Sequence, residues 1–478
     1  MMRTQLFRAG TFGLVVVLLG LLAVFAHAGL QETNTQRRPA TAIGEDARSA
    51  PPPGYLLGSS AAGEARVRLS EATIARLTRN LAAQGQEKRA WVGVEAELPN
   101  VSAPWEHLVD STGRASWRTA VSSPGATFLR ARLSRLSLPA DATIAVYGAS
   151  GAGPIKELKA SLDGRPFWTP LIRGDLLHIE VVTASPTTPD IRIDRVSHGL
   201  KTLERPSKES WCYLDPTCYP EWDDVRDALV HLTFSSGGGT YVCSGALLTD
   251  AVDSFRPWVT TANHCVGYQS EADSVEVTFF FHTAICDGGR PDFFSLPSRR
   301  GADLKVTDIS VDVSLLLLDE DAPNNASYLG WSLRDNSPGT TATALHHPDG
   351  EYARISFGSL LSTSNAFLTV RYTESSTEGG SSGCPLLNQS GQLIGTLSGG
   401  DAACSFMAGT DEYARFTAAW AQGFEYYLNG DNPIDDDDDG DDDDDDDEPP
   451  APSDDDDNDD SGGSEARSRE DDGGGCGC

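Results

Sequence analysis

Apolar and polar residues alternate in short runs along most of this chain. Between residues 91 and 193 the runs include Phe128-Leu129-Arg130-Ala131-Arg132-Leu133, Ala142-Thr143-Ile144-Ala145-Val146-Tyr147 and Leu176-Leu177-His178-Ile179-Glu180-Val181-Val182. A period of two puts alternate side chains on opposite faces of a strand. Pro139, Gly148, Gly164 and Gly174 punctuate the runs, so this stretch reads as a β-sandwich of roughly a hundred residues. The pattern returns at Val230-His231-Leu232-Thr233-Phe234, at residues 274–282 and 305–318, and at Phe367-Leu368-Thr369-Val370-Arg371-Tyr372. Many short strands over roughly 220 residues fit one two-barrel unit with a cleft between the barrels. A helical period occurs twice. Ser70 caps a turn that puts Ile74, Leu77 and Leu81 on one face, and residues 413–428 would close the second unit.

The ends of the chain read differently. Arg3 and Arg8 precede an apolar run over residues 12–25, closed by Ala26-His27-Ala28. This is the form of a secretory signal cut after Ala28, and the run is short for a bilayer span. Residues 29–60 are polar, contain Pro51-Pro52-Pro53, and read as a flexible lead. Residues 200–210 form a polar joint carrying Lys201, Arg205 and Lys208. From Asp431 onward 24 acidic and 2 basic residues carry −22 of the −33 net charge. Such a segment repels itself and buries nothing, so disorder is expected. It lacks the spacing of an EF-hand, which argues against a specific calcium site. Cys476 and Cys478 end it on a glycine stem that suits either attachment to a cell surface or a local disulfide at an ordinary disordered end. No basic patch with interleaved aromatics points to nucleic acid. The expected segments are therefore a signal (1–28), a lead with a short helix (29–90), a sandwich (91–200), a two-barrel domain (207–430) and an acidic tail (431–478).

Two stretches carry chemistry. Gly379-Gly380-Ser381-Ser382-Gly383-Cys384-Pro385-Leu386 presents a serine in a glycine-rich turn, and Val259-Thr260-Thr261-Ala262-Asn263-His264-Cys265 ends a strand in a histidine. A serine hydroxyl attacks a carbonyl only when an imidazole takes its proton, and a carboxylate must orient that imidazole. Asp312 stands between them in the chain, with Asp308 as the fallback; Asp303 and Asp319 read as turn or surface acids. The order His264, Asp312, Ser382 is one of three known for such triads. The backbone N–H groups of Gly380 and Ser382 would face the oxyanion. Export permits disulfides, and six cysteines allow fifteen pairings. A Cys243–Cys265 bridge flanks the strand that delivers His264 and would fix the base.

The region from about residue 211 to 420 resembles the bacterial lysyl endopeptidases, a branch of the trypsin-like serine proteases. The resemblance rests on the triad stretches, Leu345-His346-His347-Pro348, Trp331, Gly395-x-Leu397-x-Gly399-Gly400, Thr410-Asp411-Glu412-Tyr413-Ala414-Arg415-Phe416 and the placement of the six cysteines. It implies an all-β fold with a chymotrypsin-like double barrel, and endopeptidase activity after Lys or Arg without cofactor or metal. It adds the pairs Cys212–Cys404 and Cys218–Cys286. In trypsin the pocket acid lies six residues before the nucleophile, where this chain has Ser376. The resemblance instead places the acid at Asp411, with Ser398, Gly399 and Gly400 lining the pocket and Glu374 and Glu378 as rivals. Ser398 replaces a histidine of the family pattern, so strict lysine preference does not follow. Cys384 has no counterpart there and reads as a buried thiol. His346 and His347 read as packing residues. Residues 91–200, including Phe167-Trp168-Thr169-Pro170, resemble the N-terminal domain preceding many such proteases, either a folding or inhibitory pro-domain or a persistent binding module. Ser381 stands where trypsin-like zymogens keep the aspartate that captures a new N-terminus, so activation is expected from removal of that domain. The competing reading is a protease-like surface protein without activity.

Overall fold

The computed structural model describes residues 32–39, most of 51–203 and all of 210–430. The signal, the acidic tail with its two cysteines, and Arg205 and Lys208 of the joint lie outside the described residues. Helix Glu71–Ala83 begins where the Ser70 hydroxyl accepts from Thr73 N at 3.1 Å, and it buries Ile74 and Leu81. The sandwich follows as expected. One sheet runs in the order Arg66–Arg68, Ala115–Ser122, Leu176–Val182, Thr143–Tyr147, Lys156–Leu158, with Glu106–Val109 also on Ala115–Ser122. The other contains Ile172–Arg173, Phe128–Ser137, Asp190–Gly199 and Ala90–Glu97.

That second sheet does not stop at the domain boundary. Ala90–Glu97 pairs antiparallel with Gly239–Leu248, matching Val94 to Gly239 and Ala90 to Val242. Gly239–Leu248 is the central strand of the first barrel, whose sheet continues through Leu229–Ser236, Glu276–Phe279 and Ser298–Arg300 on one side. On the other side lie Trp258–Thr261, Val313–Leu318 and Ala302–Asp308. The second barrel is closed, in the order Thr341–His346, Arg354–Thr363, Phe367–Glu374, Asp411–Arg415, Leu393–Gly400, Pro385–Leu387. The expected all-β double-barrel architecture is present.

The junction between sandwich and barrel is unusually polar. Arg130 is fully buried, gives Nη1 to Ser274 O (2.7 Å) and Nη2 to Ser235 Oγ (2.6 Å), and lies 4.5 Å above the Trp168 ring. The buried Glu276 carboxylate accepts from Leu171 N at 2.7 Å, and Ser197 and Thr240 share a hydroxyl bond of 2.5 Å. Charges this far from water persist only when they are paired and hydrogen-bonded.

Three local expectations change. Residues 305–318 are two strands, Ala302–Asp308 and Val313–Leu318, because the chain reverses at Asp312, whose φ is 60°. The closing helix starts at Phe416, since Tyr413 is a buried residue of strand Asp411–Arg415 that the barrel needs for closure. The polar lead is fixed where it is described: Gln36–Arg37 pairs with Ser327–Tyr328, and Gly54 N donates to buried Glu180 at 2.7 Å.

Candidate active site

Strand Trp258–Thr261 delivers His264 through a turn closed by Cys265 N to Ala262 O at 3.1 Å. The Cys243–Cys265 disulfide ties that turn to Gly239–Leu248, and the pairs Cys212–Cys404 and Cys218–Cys286 are also formed. His264 donates its backbone N–H to Asp312 Oδ1 at 2.9 Å and its Nδ1 lies 2.8 Å from Oδ2. An ionised carboxylate only accepts, so Nδ1 carries the proton and Nε2 is the basic nitrogen. Nε2 is buried and has no hydrogen-bond partner. The left-handed backbone of Asp312 is one that short acids tolerate better than other residues, and such conformations concentrate at functional sites. Burial pushes its carboxyl up, but the bonds and charge of His264 and the hydroxyl of Ser398 outweigh this and hold it below the usual carboxylate range.

Ser398, expected as a pocket residue, also has a role that its position in the motif did not reveal. Its Oγ donates to Asp312 Oδ2 at 2.5 Å, which fixes the second carboxylate oxygen from the opposite barrel. Asp308, the fallback carboxylate, is instead spent on Ser310 and Val311 of its own turn.

The serine loop is held from the first barrel by one residue. Ser244 N donates to Ser382 O (2.8 Å), and Ser244 Oγ donates to Gly380 O (3.0 Å) while accepting from His347 N (2.9 Å). Gly383 must be glycine: φ is 82°, and a methyl group there would lie 2.2 Å from Thr261 Oγ1 and 3.0 Å from Ala262 N. That contact brings the loop against the residues just ahead of His264. Gly380 has φ 92°, and a methyl group would come within 3.0 Å of Gly350 N and His347 O. Among the described residues neither Gly380 N nor Ser382 N is spent on a bond within the protein. Unspent backbone donors in such a turn are what an oxyanion requires.

His346, expected to be a packing residue, braces this loop. Ser356 Oγ gives its proton to Ser375, so the neutral His346 ring carries its proton on Nε2 and its Nδ1 accepts from Ser381 Oγ at 2.8 Å, while Ser381 Oγ accepts from Glu378 N (3.1 Å). The other ring nitrogen, His346 Nε2, then donates to Ser356 Oγ at 2.9 Å, and Ser356 donates to Ser375 at 3.1 Å. Burial and the charge of Arg354 push the His346 pKa down to about 3, so the ring stays neutral. His347 bonds Glu351 O through Nδ1 at 2.8 Å and stacks on Phe281, which is packing as expected.

Asp411 lies at the end of its strand, 1% exposed, opposite Gly400. A methyl group on Gly400 would sit 2.5 Å from Asp411 Oδ1, so only glycine fits against the carboxyl there. Thr377 Oγ1 donates to Oδ2, and next to it Ser376 Oγ is buried without a partner. Burial pushes Asp411 up to about 6, against the bonds from Thr377 and Tyr372. Of its rivals, Glu374 is exposed and Glu378 accepts from Cys404 N at 3.1 Å. Cys384 is a buried free thiol in the second barrel's core, 3.9 Å from Tyr413 Oη. The acid, thiol and imidazole clusters nearby, Cys243-His264-Cys265 and Cys218-Cys286-Asp287, are built on disulfide sulfurs, which are poor metal ligands.

Two barrels of this topology, one supplying an oriented imidazole and the other a serine in a donor-lined turn, define a serine endopeptidase. The model for the lysyl endopeptidase N-terminal domain matches residues 67–200 and that for the C-terminal domain matches residues 207–414, together well over half the chain. The chain belongs to the lysyl endopeptidase family. The lysyl endopeptidase of Pseudomonas aeruginosa PAO1 is 28% identical over 386 residues, covering 72% of this chain and 82% of that protein. Among solved structures, the active form of the Rv3671c protease of M. tuberculosis is 18% identical, covers 44% of this chain and 87% of its own, and has a TM-score of 0.32. Its inactive form is 19% identical, covers 45% and 96%, and has a TM-score of 0.31. Both likenesses are too distant to bear on the site.

Replacing His346 by Leu should lower kcat for a small lysyl ester by about tenfold, since misplacing an oxyanion donor is costly. KM should change little. Ser381→Ala should reproduce the loss, and His346→Asn, which keeps an acceptor near Nδ1, should restore most of it. A raised KM with kcat intact would show that the brace serves substrate binding instead.

Proposed function

We propose that this endopeptidase cleaves after lysine and arginine through His264, Asp312 and Ser382. Ser382 Oγ attacks the scissile carbonyl as its proton passes to His264 Nε2, and the tetrahedral oxyanion is met by the N–H groups of Gly380 and Ser382. His264 then returns the proton to the leaving amine, and water hydrolyses the acyl-enzyme by the same route. The observation that carries this reading is the unpartnered, buried Nε2 of an imidazole anchored on Asp312, together with the unspent backbone donors of the serine loop. Three disulfides suit an extracellular protein, and secretion through residues 1–28 belongs to the same proposal. Ser382→Ala should abolish labelling by a fluorophosphonate probe and lower kcat by about 10⁴-fold or more with the fold intact. Retained labelling would move the nucleophile elsewhere.

Asp411 supports the preference for a cationic side chain, because a buried carboxylate gains most from an opposite charge. It is ionised above its pKa of about 6 and neutral below it. The ratio of kcat/KM for a lysyl over an apolar substrate should therefore fall as pH drops through about 6. Any step common to both substrates cancels from the ratio. Asp411→Asn should flatten the ratio and cost lysyl substrates about 2–5 kcal/mol more than apolar ones. Equal losses for both would make Asp411 structural.

The sandwich fits a pro-domain removed at the joint, whose Lys201, Arg205 and Lys208 match the proposed specificity. Lys201 O is held by Thr127 Oγ1 at 2.9 Å and Leu203 is 3% exposed. A protease needs an extended, accessible backbone, so the cut should fall after Arg205 or Lys208. N-terminal sequencing of the processed enzyme reads this directly, and a start at Thr202 would contradict it.

A further inference from the structure

Residues 32–39 lie outside both matched domains, yet they are built into the seam between the two barrels. The seam is residues 326–332, the extended connection from one barrel to the other. Leu329 N donates to Leu247 O (2.8 Å) and Thr249 N to Leu329 O (3.1 Å) on the first-barrel side. On the second-barrel side Leu393 N donates to Gly330 O (2.8 Å) and Ser332 N to Leu393 O (3.0 Å).

The N-terminal segment adds one more strand to this seam. Gln36 pairs with Tyr328 and Arg37 with Ser327, continued by an isolated bridge between Glu32 and Ser332. Thr33 N donates to Trp331 O (2.8 Å), Arg38 N to Ala326 O (2.8 Å), Gly330 N to Thr35 Oγ1 (3.1 Å) and Trp331 N to Thr33 Oγ1 (3.1 Å). Side chains extend the contact to both barrels. Arg37 Nη2 bonds Asp224 (2.7 Å) and Asp227 (2.9 Å), Arg38 Nη2 bonds Asp321 (2.8 Å), and Gln392 of the second barrel donates to Thr33 O (3.0 Å). Gly330 makes room for it: a methyl group there would fall 2.4 Å from Asn34 C and 2.5 Å from Thr33 O.

We propose that the barrel seam is a peptide-binding groove and that residues 32–39 of this chain are its ligand, a clamp that fixes the two barrels against each other. Recognition is by strand addition, in which main-chain bonds supply affinity and side-chain contacts supply selectivity. The paired arginines select for the acidic rim at Asp224, Asp227 and Asp321. His264 and Asp312 come from one barrel and the serine loop from the other, so whatever sets the angle between the barrels also sets the site. A cut in the joint leaves clamp and groove on separate chains, and the groove then holds its ligand by these contacts alone. The proposal rests on packing and not on the assignment of the nucleophile.

The test uses the full chain carrying Ser382→Ala, so that no self-cleavage intervenes. Gly330→Ala should lower its unfolding midpoint by about 4 °C or more. Replacing residues 32–39 by a Gly-Ser segment of equal length should lower it similarly, and adding Gly330→Ala to that chain should then change nothing further. A synthetic peptide of residues 32–39 should bind the Gly-Ser chain saturably, with affinity at least tenfold weaker when Gly330→Ala is present or when its Arg37 is replaced by Glu. If Gly330→Ala costs as much without the segment as with it, or the peptide fails to bind, the clamp is overturned.

Discussion

Ser244 is the residue on which the rest of the site depends. It lies fully buried in Gly239–Leu248, and all three of its polar groups are committed to the site. Its N–H and hydroxyl hold Ser382 O and Gly380 O, the hydroxyl also receives His347 N, and its carbonyl accepts from Thr261 Oγ1 at 2.9 Å. Its neighbour Cys243 is bonded to Cys265, which adjoins His264. One strand of the first barrel thus carries both the tether of His264 and the anchor of the Ser382 loop. A buried hydroxyl that donates to one carbonyl and accepts from one amide cannot be moved without stranding both, and each stranded group costs about 1–3 kcal/mol. The loop is therefore held in register with His264 by a constraint that a surface contact could not supply.

That same strand is also the docking edge for the N-terminal sandwich. Ala90–Glu97 takes up the backbone groups of residues 239–242, and Leu171 N and Arg130 satisfy polar groups of the first barrel beneath it. If the sandwich is removed, as the proposed maturation requires, an edge is exposed and buried acids such as Glu276 return to water. Open edges invite pairing with other chains. Gly239 opens this strand and Ser236 ends its neighbour, with Gly237 and Gly238 both at positive φ in the turn between them. The uncovered edge is thus short and ends in a tight turn, which limits what could pair with it. The sandwich and the barrel are coupled by geometry, not only by the covalent joint.

How much of this could be read from the sequence follows from the range of each interaction. His264, Ser382 and Gly380 sit in short motifs whose chemistry is local, and alternation along the chain gave the barrels and the sandwich. Ser398 and His346 were named, but their bonds to Asp312 and Ser381 cross between elements, and no spacing announces a partner 86 or 35 residues away. The strand at Gln36–Arg37 was hidden for another reason. Two residues show no period, and their partners lie nearly 300 residues downstream. Polar composition alone read as a lead, because threonines and arginines that pair with backbone and acids look the same as those that face water. The helix boundary at Phe416 was misplaced because Tyr413 and Phe416 are apolar residues that suit either element, and barrel closure decided between them.

The buried Asp411 shows the same logic at the level of electrostatics. Burial of Asp411 raises the cost of its charge, which is why its pKa rises to about 6. A fully solvated acid would stay ionised at lower pH but would distinguish a lysine poorly from an apolar side chain, because water screens the pair. Thr377 and Tyr372 donate to the buried carboxylate and keep it ionised near neutral pH without supplying a countercharge. Tyr372 also bonds Tyr413, which approaches the Cys384 thiol, so neutral donors fill the space behind the acid. A fixed cation there would have satisfied Asp411 permanently and left nothing for a substrate to neutralise. The neutral donors Thr377 and Tyr372 leave Asp411 without a fixed countercharge, which is what its proposed pairing with a cationic side chain requires.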